Sequence, residues 1–203
     1  MNKILVGITG SFGAGKTTVA GMFRRKGAAL VDADRIAHKL IQPHTAVYRR
    51  ILACFPTGIL SGKYISRRRL AETVFSDKKK LKKLNRIIHP AIIGIIKKRI
   101  KSFSGRKIIV VDAALLIESG LSVGLDKLIV VKCKPHVRMQ RLKKKGLSPD
   151  MIKARLDVQL PQKQKIKFAD FVIDNSASRQ CTLKQVIGIW NKIINLGGER
   201  WRR

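Results

Sequence analysis

The sequence predicts an α/β fold in which a parallel five-stranded sheet is flanked by helices and carries a helical insert and a lid. Two observations lead there. Short β-branched apolar runs alternate with longer helical patterns along most of the chain. The first of these runs also leads directly into a glycine-rich loop followed by a helical pattern. Apolar residues make up 45% of the 203 positions, enough for a full core in one domain and too many for a disordered chain.

Five short strands are expected: residues 3–9 (KILVGIT), 28–31, 107–111 (KIIVV), 127–131 (KLIVV) and 171–173. Three are continuously apolar rather than alternating, the pattern of strands covered on both faces, and hence of a parallel sheet with crossover helices. Helical spacing over residues 16–26, 137–145, 149–159 and 182–195 supplies the crossovers. Residues 35–104 break the rhythm, with no convincing strand and helical patterns at 35–41, 46–55, 67–75, 78–88 and 91–103. They read as a helical insert between the second and third strands. Residues 136–168 read as a lid, and the tail 197–203 as frayed.

Forty-four Lys and Arg against 12 Asp and Glu give a formal charge of +32. That predicts attraction to polyanions without naming one. A nucleic-acid-binding protein would pair such charge with stacking aromatics or a known module; aromatics are 5% and no module appears. The three cysteines, Cys54, Cys133 and Cys181, show no paired spacing, which argues against a zinc site or a disulfide framework. No apolar run approaches the roughly 20 residues that span a bilayer, and the N-terminal apolar run is too short for a signal peptide. The expectation is a cytoplasmic, monomeric protein with no membrane partner and no obligatory nucleic acid.

Gly10-Ser11-Phe12-Gly13-Ala14-Gly15-Lys16-Thr17 fits the phosphate-loop pattern G-x-x-x-x-G-K-[ST]. Glycines let the backbone turn so that successive N–H groups face phosphate oxygens. Lys16 reaches the β- and γ-phosphates, Thr17 offers a hydroxyl to Mg²⁺, and the following helix points its positive end at the anion. The strand before it and helix after it are the context of a phosphate-loop NTPase. Carboxylates are the second signal: Asp32 and Asp34 follow the second strand, Asp112 ends the third and Asp174 the fifth, where strand carboxyl ends converge on a ligand crevice. Asp112 after Ile108-Ile109-Val110-Val111 has the place of a magnesium-holding acid, with a helix cap as the competing reading. Asp34 reads as a base or as the cap of the next helix. Arg138, Arg141 and Lys145 at helical spacing, with Arg155 beyond, read as lid cations or as surface charge. His38, His44 and His136 read as surface residues. His89, before Pro90, reads as a turn cap or a substrate contact.

Taken in order, residues 9–18 (TGSFGAGKTT), 31–37 (VDADRIA), 66–75 (SRRRLAETVF), 84–92 (LNRIIHPAI), 111–118 (VDAALLIE) and 169–175 (ADFVIDN) resemble dephospho-coenzyme A kinases. The resemblance runs from the first strand to about Val186. It implies transfer of the γ-phosphate of ATP to the ribose 3′-hydroxyl of dephospho-CoA, with Mg²⁺. By the same resemblance, Gly10, Gly13, Ala14, Gly15, Lys16, Thr17 and Thr18 would hold ATP. Asp34 would be the general base, Arg67 and His89 would contact dephospho-CoA in the insert, and Arg141 would serve from the lid with Lys145 in place of a common lid Arg; the residues themselves assign the metal to Thr17, Asp32 and Asp112. The sequence departs from the family pattern at Ser11, Asn85, Ala114 and Lys145. Another small-molecule nucleoside or nucleotide kinase would share the loop but not the insert with its His-Pro step.

Overall fold

The computed structural model describes residues 3–195 apart from 56, 76, 106, 123 and 158, so the expected fraying of 197–203 lies outside the described residues. In chain order the elements are β1 (Ile4–Gly10), α1 (Lys16–Arg25), β2 (Ala29–Asp32), α2 (Ala33–Leu40) and α3 (Ala46–Cys54). A short 3₁₀ turn, Thr57–Ile59, leads to β3 (Leu60–Ser61), β4 (Tyr64–Ile65), α4 (Arg67–Phe75) and α5 (Lys78–Ser102). Then follow β5 (Ile108–Asp112), β6 (Lys127–Lys132), α6 (Pro135–Lys143), α7 (Pro149–Asp157), α8 (Gln162–Ile166), β7 (Phe171–Asp174) and α9 (Arg179–Asn195). The chain divides into two compact units, Met1–Asp32 with Phe103–Arg203, and Ala33–Ser102.

The first unit is built on a five-stranded sheet in the order β2-β5-β1-β6-β7. Every pair is parallel, with Val6 opposite Val110 on one side of β1 and Ile8 opposite Ile129 on the other. Both faces are covered, which is why the strands read as unbroken apolar runs. On one face Val6, Ile8, Val110, Ile129, Val131 and Ile173 pack under α1 and α9, whose Phe23 and Trp190 rings meet at 6.2 Å. On the other, Gly7 lies so close to Leu116, Leu125 and Leu128 that a side chain there would collide with them. β1 sits centrally, so its carboxyl end opens at the switch point where ligands of such sheets bind.

The second unit has its own core of Ile51, Ile59, Val74, Leu84 and Ile87 with their neighbours. Thr45 caps α3 by accepting the Tyr48 N–H at 2.9 Å. Three expectations are corrected here. The insert does contain strand, a two-residue antiparallel pair with Leu60 opposite Ile65, too short to leave a periodic signal. The two helices expected on either side of Pro90 are one, α5, running through the proline. Proline removes one helical hydrogen bond, but Leu84, Ile87 and Ile92 continue the buried stripe across it and packing keeps the helix whole. His89 therefore lies inside a helix and cannot cap a turn between two. In the first unit, the five-residue α8 went unforeseen, being too short for periodicity to reveal.

Candidate active site

The loop joining β1 to α1 is shaped by left-handed glycines. Gly10, Gly13 and Gly15 have φ of 154°, 81° and 92°. A Cβ on Gly15 would collide with the Asn175 amide, and one on Gly13 would press on Leu142 and Arg138. Gly15 is the residue ahead of α1, which has no side-chain cap and no acid in its first turn. The positive end of α1 is thus open to an anion. Ser11 C=O accepts the Ala14 N–H at 3.0 Å, closing the turn, and Gly15 C=O accepts from Thr18 at 3.0 Å. Lys16 is half-buried, while Thr17 and Thr18 are exposed.

Two neighbours brace this loop. From the end of β7, Asn175, itself buried, donates its Nδ2–H to the Ala14 carbonyl at 2.8 Å, and Thr182 Oγ1 donates to Asn175 Oδ1 at 2.9 Å. From the connection after α7, Gln159 Oε1 accepts the Phe12 N–H at 2.7 Å, while the Arg155 guanidinium lies 4.8 Å from the centre of the Phe12 ring. α6 supplies cations: Arg141 Nη1 lies 3.8 Å from where a Gly15 Cβ would sit and donates to Cys133 Sγ at 3.6 Å. Arg138 lies against Gly13, and its Nε is buried with no hydrogen-bond partner among the described residues. Lys145 departs from the expected helical alignment: α6 ends at Lys143 and Lys145 is exposed in the turn beyond.

Asp32 and Asp112 are paired across β2 and β5 at the strand ends, so their Cα atoms are separated by one inter-strand spacing, about 4.8 Å. Asp32 is exposed and Asp112 half-buried. No helix follows Asp112, since residues 113–122 form no helix or strand, and its cap reading is set aside. α2 begins at Ala33, so Asp34 is the second helical residue rather than the one ahead of the helix, and its cap reading falls too. Asp34 is exposed, as is Arg67 at the start of α4. Both belong to the second unit with His89, which is half-buried and lines an open cavity of about 430 Å³ with Lys82, Asn85 and Arg86. Burial holds the His89 imidazole below its ordinary value, and its Nε2 has no hydrogen-bond partner among the described residues. At Asp174, burial pushes the carboxyl up, but hydrogen bonds from Ser176 and the Lys132 ammonium outweigh it and the net shift is downward. His38, His44 and His136 are exposed, as expected.

The site also uses residues whose part in it was not legible in the sequence. Asn175 stands in the quoted VIDN element, and Arg138 was seen only as one of several lid cations. Gln159 carried no signal.

A strand, a left-handed glycine turn with Lys16 and Thr17 opening a helix, and carboxylates at the neighbouring strand end define a phosphate-loop kinase. The sequence matches the family model described as "CoaE: Dephospho-CoA kinase" over residues 4–180. A Dephospho-CoA kinase from Aquifex aeolicus is 40% identical over 189 residues, covering 93% of this chain and 96% of the relative. The crystal structure of TT1252 from Thermus thermophilus superposes with a TM-score of 0.81 at 27% identity, covering 96% of this chain and 99% of that one. A Dephospho-CoA kinase from Campylobacter jejuni gives a TM-score of 0.61 at 29% identity, covering 93% and 96%. The chain belongs to the dephospho-CoA kinase family.

Proposed function

We propose that this enzyme transfers the γ-phosphate of ATP to the ribose 3′-hydroxyl of dephospho-CoA, giving coenzyme A and ADP. The observation that carries the reading is family membership over residues 4–180 with a complete phosphate loop, Gly10 to Thr17. In this reading the N–H groups of Gly13, Ala14, Gly15, Lys16, Thr17 and Thr18 cradle the phosphates. Lys16 follows the γ-phosphoryl group as charge spreads over its oxygens. Arg141, already beside Gly15, stabilises the same charge, and Lys145 approaches from the turn beyond α6. An open cavity of about 400 Å³ past the ends of β6 and β7, bordered by Lys134, His136, Asp174 and Gln185, has room for the nucleoside end of ATP.

Asp34 accepts the proton of the 3′-hydroxyl, a role supported by its exposed carboxylate two residues beyond β2. Arg67 and His89 contact dephospho-CoA. Lys82 and Arg86 beside His89 make that cavity suited to an anionic group.

The donor set fits Mg²⁺. Thr17, Asp32 and Asp112 offer oxygen only, and no group of three or more His, Cys, Asp or Glu side chains among the described residues could form an all-protein cage. That suits an ion that keeps its waters and is held largely by substrate phosphates. When bound, Mg²⁺ would neutralise charge on the transferring phosphates.

No helix among the described residues is long and apolar enough to cross a membrane, and the three cysteines are unpaired thiols. The unpaired thiols suit the reducing cytoplasm, and the proposal includes a monomer with no obligatory nucleic acid. The test is ADP release with dephospho-CoA as acceptor, and adenosine and AMP as controls. Turnover with dephospho-CoA alone is expected. Faster turnover with either control would overturn the assignment.

A further inference from the structure

Of the 44 Lys and Arg in the chain, one among the described residues lies where solvent cannot reach. Lys165, on α8, is fully buried, and its ammonium pairs with Glu118 Oε1 at 2.7 Å, a carboxylate only 10% exposed. The same ammonium donates to the Ala114 carbonyl at 2.7 Å, and that carbonyl also accepts the Thr9 hydroxyl at 3.2 Å. Glu118 Oε1 further accepts the Leu160 N–H at 2.8 Å.

One cation therefore joins three segments: the end of β1, where the phosphate loop begins, the turn two residues past Asp112, and the connection that enters α8. That connection carries Gln159, which takes the Phe12 N–H, while α8 begins with Gln162, which takes the Cys133 N–H at 3.0 Å. Farther back, Arg155 covers the Phe12 ring.

A buried ion pair is a poor way to gain stability, because desolvating two charges consumes most of what their attraction returns, and a matched apolar pair often serves as well. Here the cost is not fully met even by the pair itself. Glu118 Oε2 is buried with no hydrogen-bond partner among the described residues. What the pair does supply is direction, since an ammonium and a carboxylate fix the relative placement of their backbones where apolar packing would tolerate sliding.

We propose that Lys165, through Glu118 and the Ala114 carbonyl, is a positioning residue that locks the connection carrying Gln159, with Arg155 behind it, to the phosphate loop, so that the loop meets the transferring phosphoryl group in register. The inference rests on the kinase reading above. It assigns the pair to the rate of transfer rather than to substrate affinity.

The test is a double variant, Lys165→Met with Glu118→Leu, which removes both charges and leaves neither orphaned. Its melting temperature should stay close to that of the wild type, and KM for ATP and dephospho-CoA should hold. Its kcat should fall about 10- to 100-fold, the cost of a displacement on the order of 1 Å near the reacting atoms. Unchanged kcat would overturn the proposal, as would a loss confined to KM. Failure of the double variant to fold would overturn it as well, since the pair would then be a structural requirement. Lys165→Met alone, measured in parallel, should lose at least as much turnover; a single variant more active than the double would also count against the lock. The wild type in the same assay tests the reaction itself: absence of ADP release there refutes both readings, whereas an active wild type with an equally active double variant refutes only the positioning role.

Discussion

Replacing Asn175 should weaken the phosphate loop from behind, without touching any group that meets ATP. Its amide is the donor to the Ala14 carbonyl at 2.8 Å, in a site where Asn175 and Ala14 are both buried. Asn175→Ala strands that carbonyl, and a buried acceptor without a partner costs about 1–3 kcal/mol. The Thr182 hydroxyl is less exposed to the change, because it also donates to the Ser178 carbonyl at 3.2 Å. Taking about 2–3 kcal/mol in all, and about 2–4 °C per kcal/mol for a chain of this size, the melting temperature should fall by roughly 5–10 °C. The loop geometry around Gly15 loosens with it. If about half of the loss falls on the nucleotide-bound form, KM for ATP should rise about tenfold, since 1.4 kcal/mol is a factor of ten. Asn175→Asp should be worse than Asn175→Ala, because a carboxylate oxygen would then face a carbonyl oxygen. Thermal unfolding followed by circular dichroism, with ADP release titrated in ATP, reads both effects. An Asn175→Ala protein that melts with the wild type and keeps its KM for ATP would refute the bracing argument.

Lys16→Ala should cost about 10²–10³ in kcat, as for the loss of a single preorganised donor to developing charge; ADP release measures it, and retention of a tenth of wild-type turnover would sink the loop assignment. Asp34→Asn should cost about 10²–10⁴ in kcat with ATP affinity intact, as expected for a lost general base. Nucleotide titration alongside turnover separates base from positioner. His89 gives a pH prediction. Its value is lowered by burial from 6.5, so the fold favours the neutral ring. That contribution is complete above the unfolded value and is lost as pH falls through the folded one. Melting temperature measured from about pH 7.5 down to about pH 5 should decline less steeply in His89→Gln than in the wild type; parallel curves would remove His89 as the source.

The sheet could be read from the chain because burial on both faces leaves a direct imprint. Residues 108–111 and 128–131 are apolar at every position, and nothing but a covered strand or a buried helix requires that. The phosphate loop could be read because its left-handed turns demand glycine at Gly10, Gly13 and Gly15. The braces behind it could not. Gln159 and Lys165 are polar residues at unremarkable spacing, and a buried lysine leaves no mark among so many exposed ones. At Pro90 the local rule was sound and lost to packing, because the apolar stripe through Leu84, Ile87 and Ile92 outweighed one missing hydrogen bond. The second acid, Asp34, was visible as a residue, but its place within the first turn rather than ahead of the helix depended on a helix beginning two residues earlier than its pattern suggests.

β2 and β5 are parallel neighbours in the sheet, and the connection between them, residues 33–107, contains the whole second unit, 33–102, about seventy positions. A crossover between parallel strands needs only a dozen or so. Most of that stretch is therefore surplus to the sheet's topology, and with its own apolar core it can drift, lengthen or be exchanged while the catalytic frame keeps its register. A lineage that altered the acceptor molecule could do so by rewriting this single crossover, inheriting the phosphate-handling half unchanged.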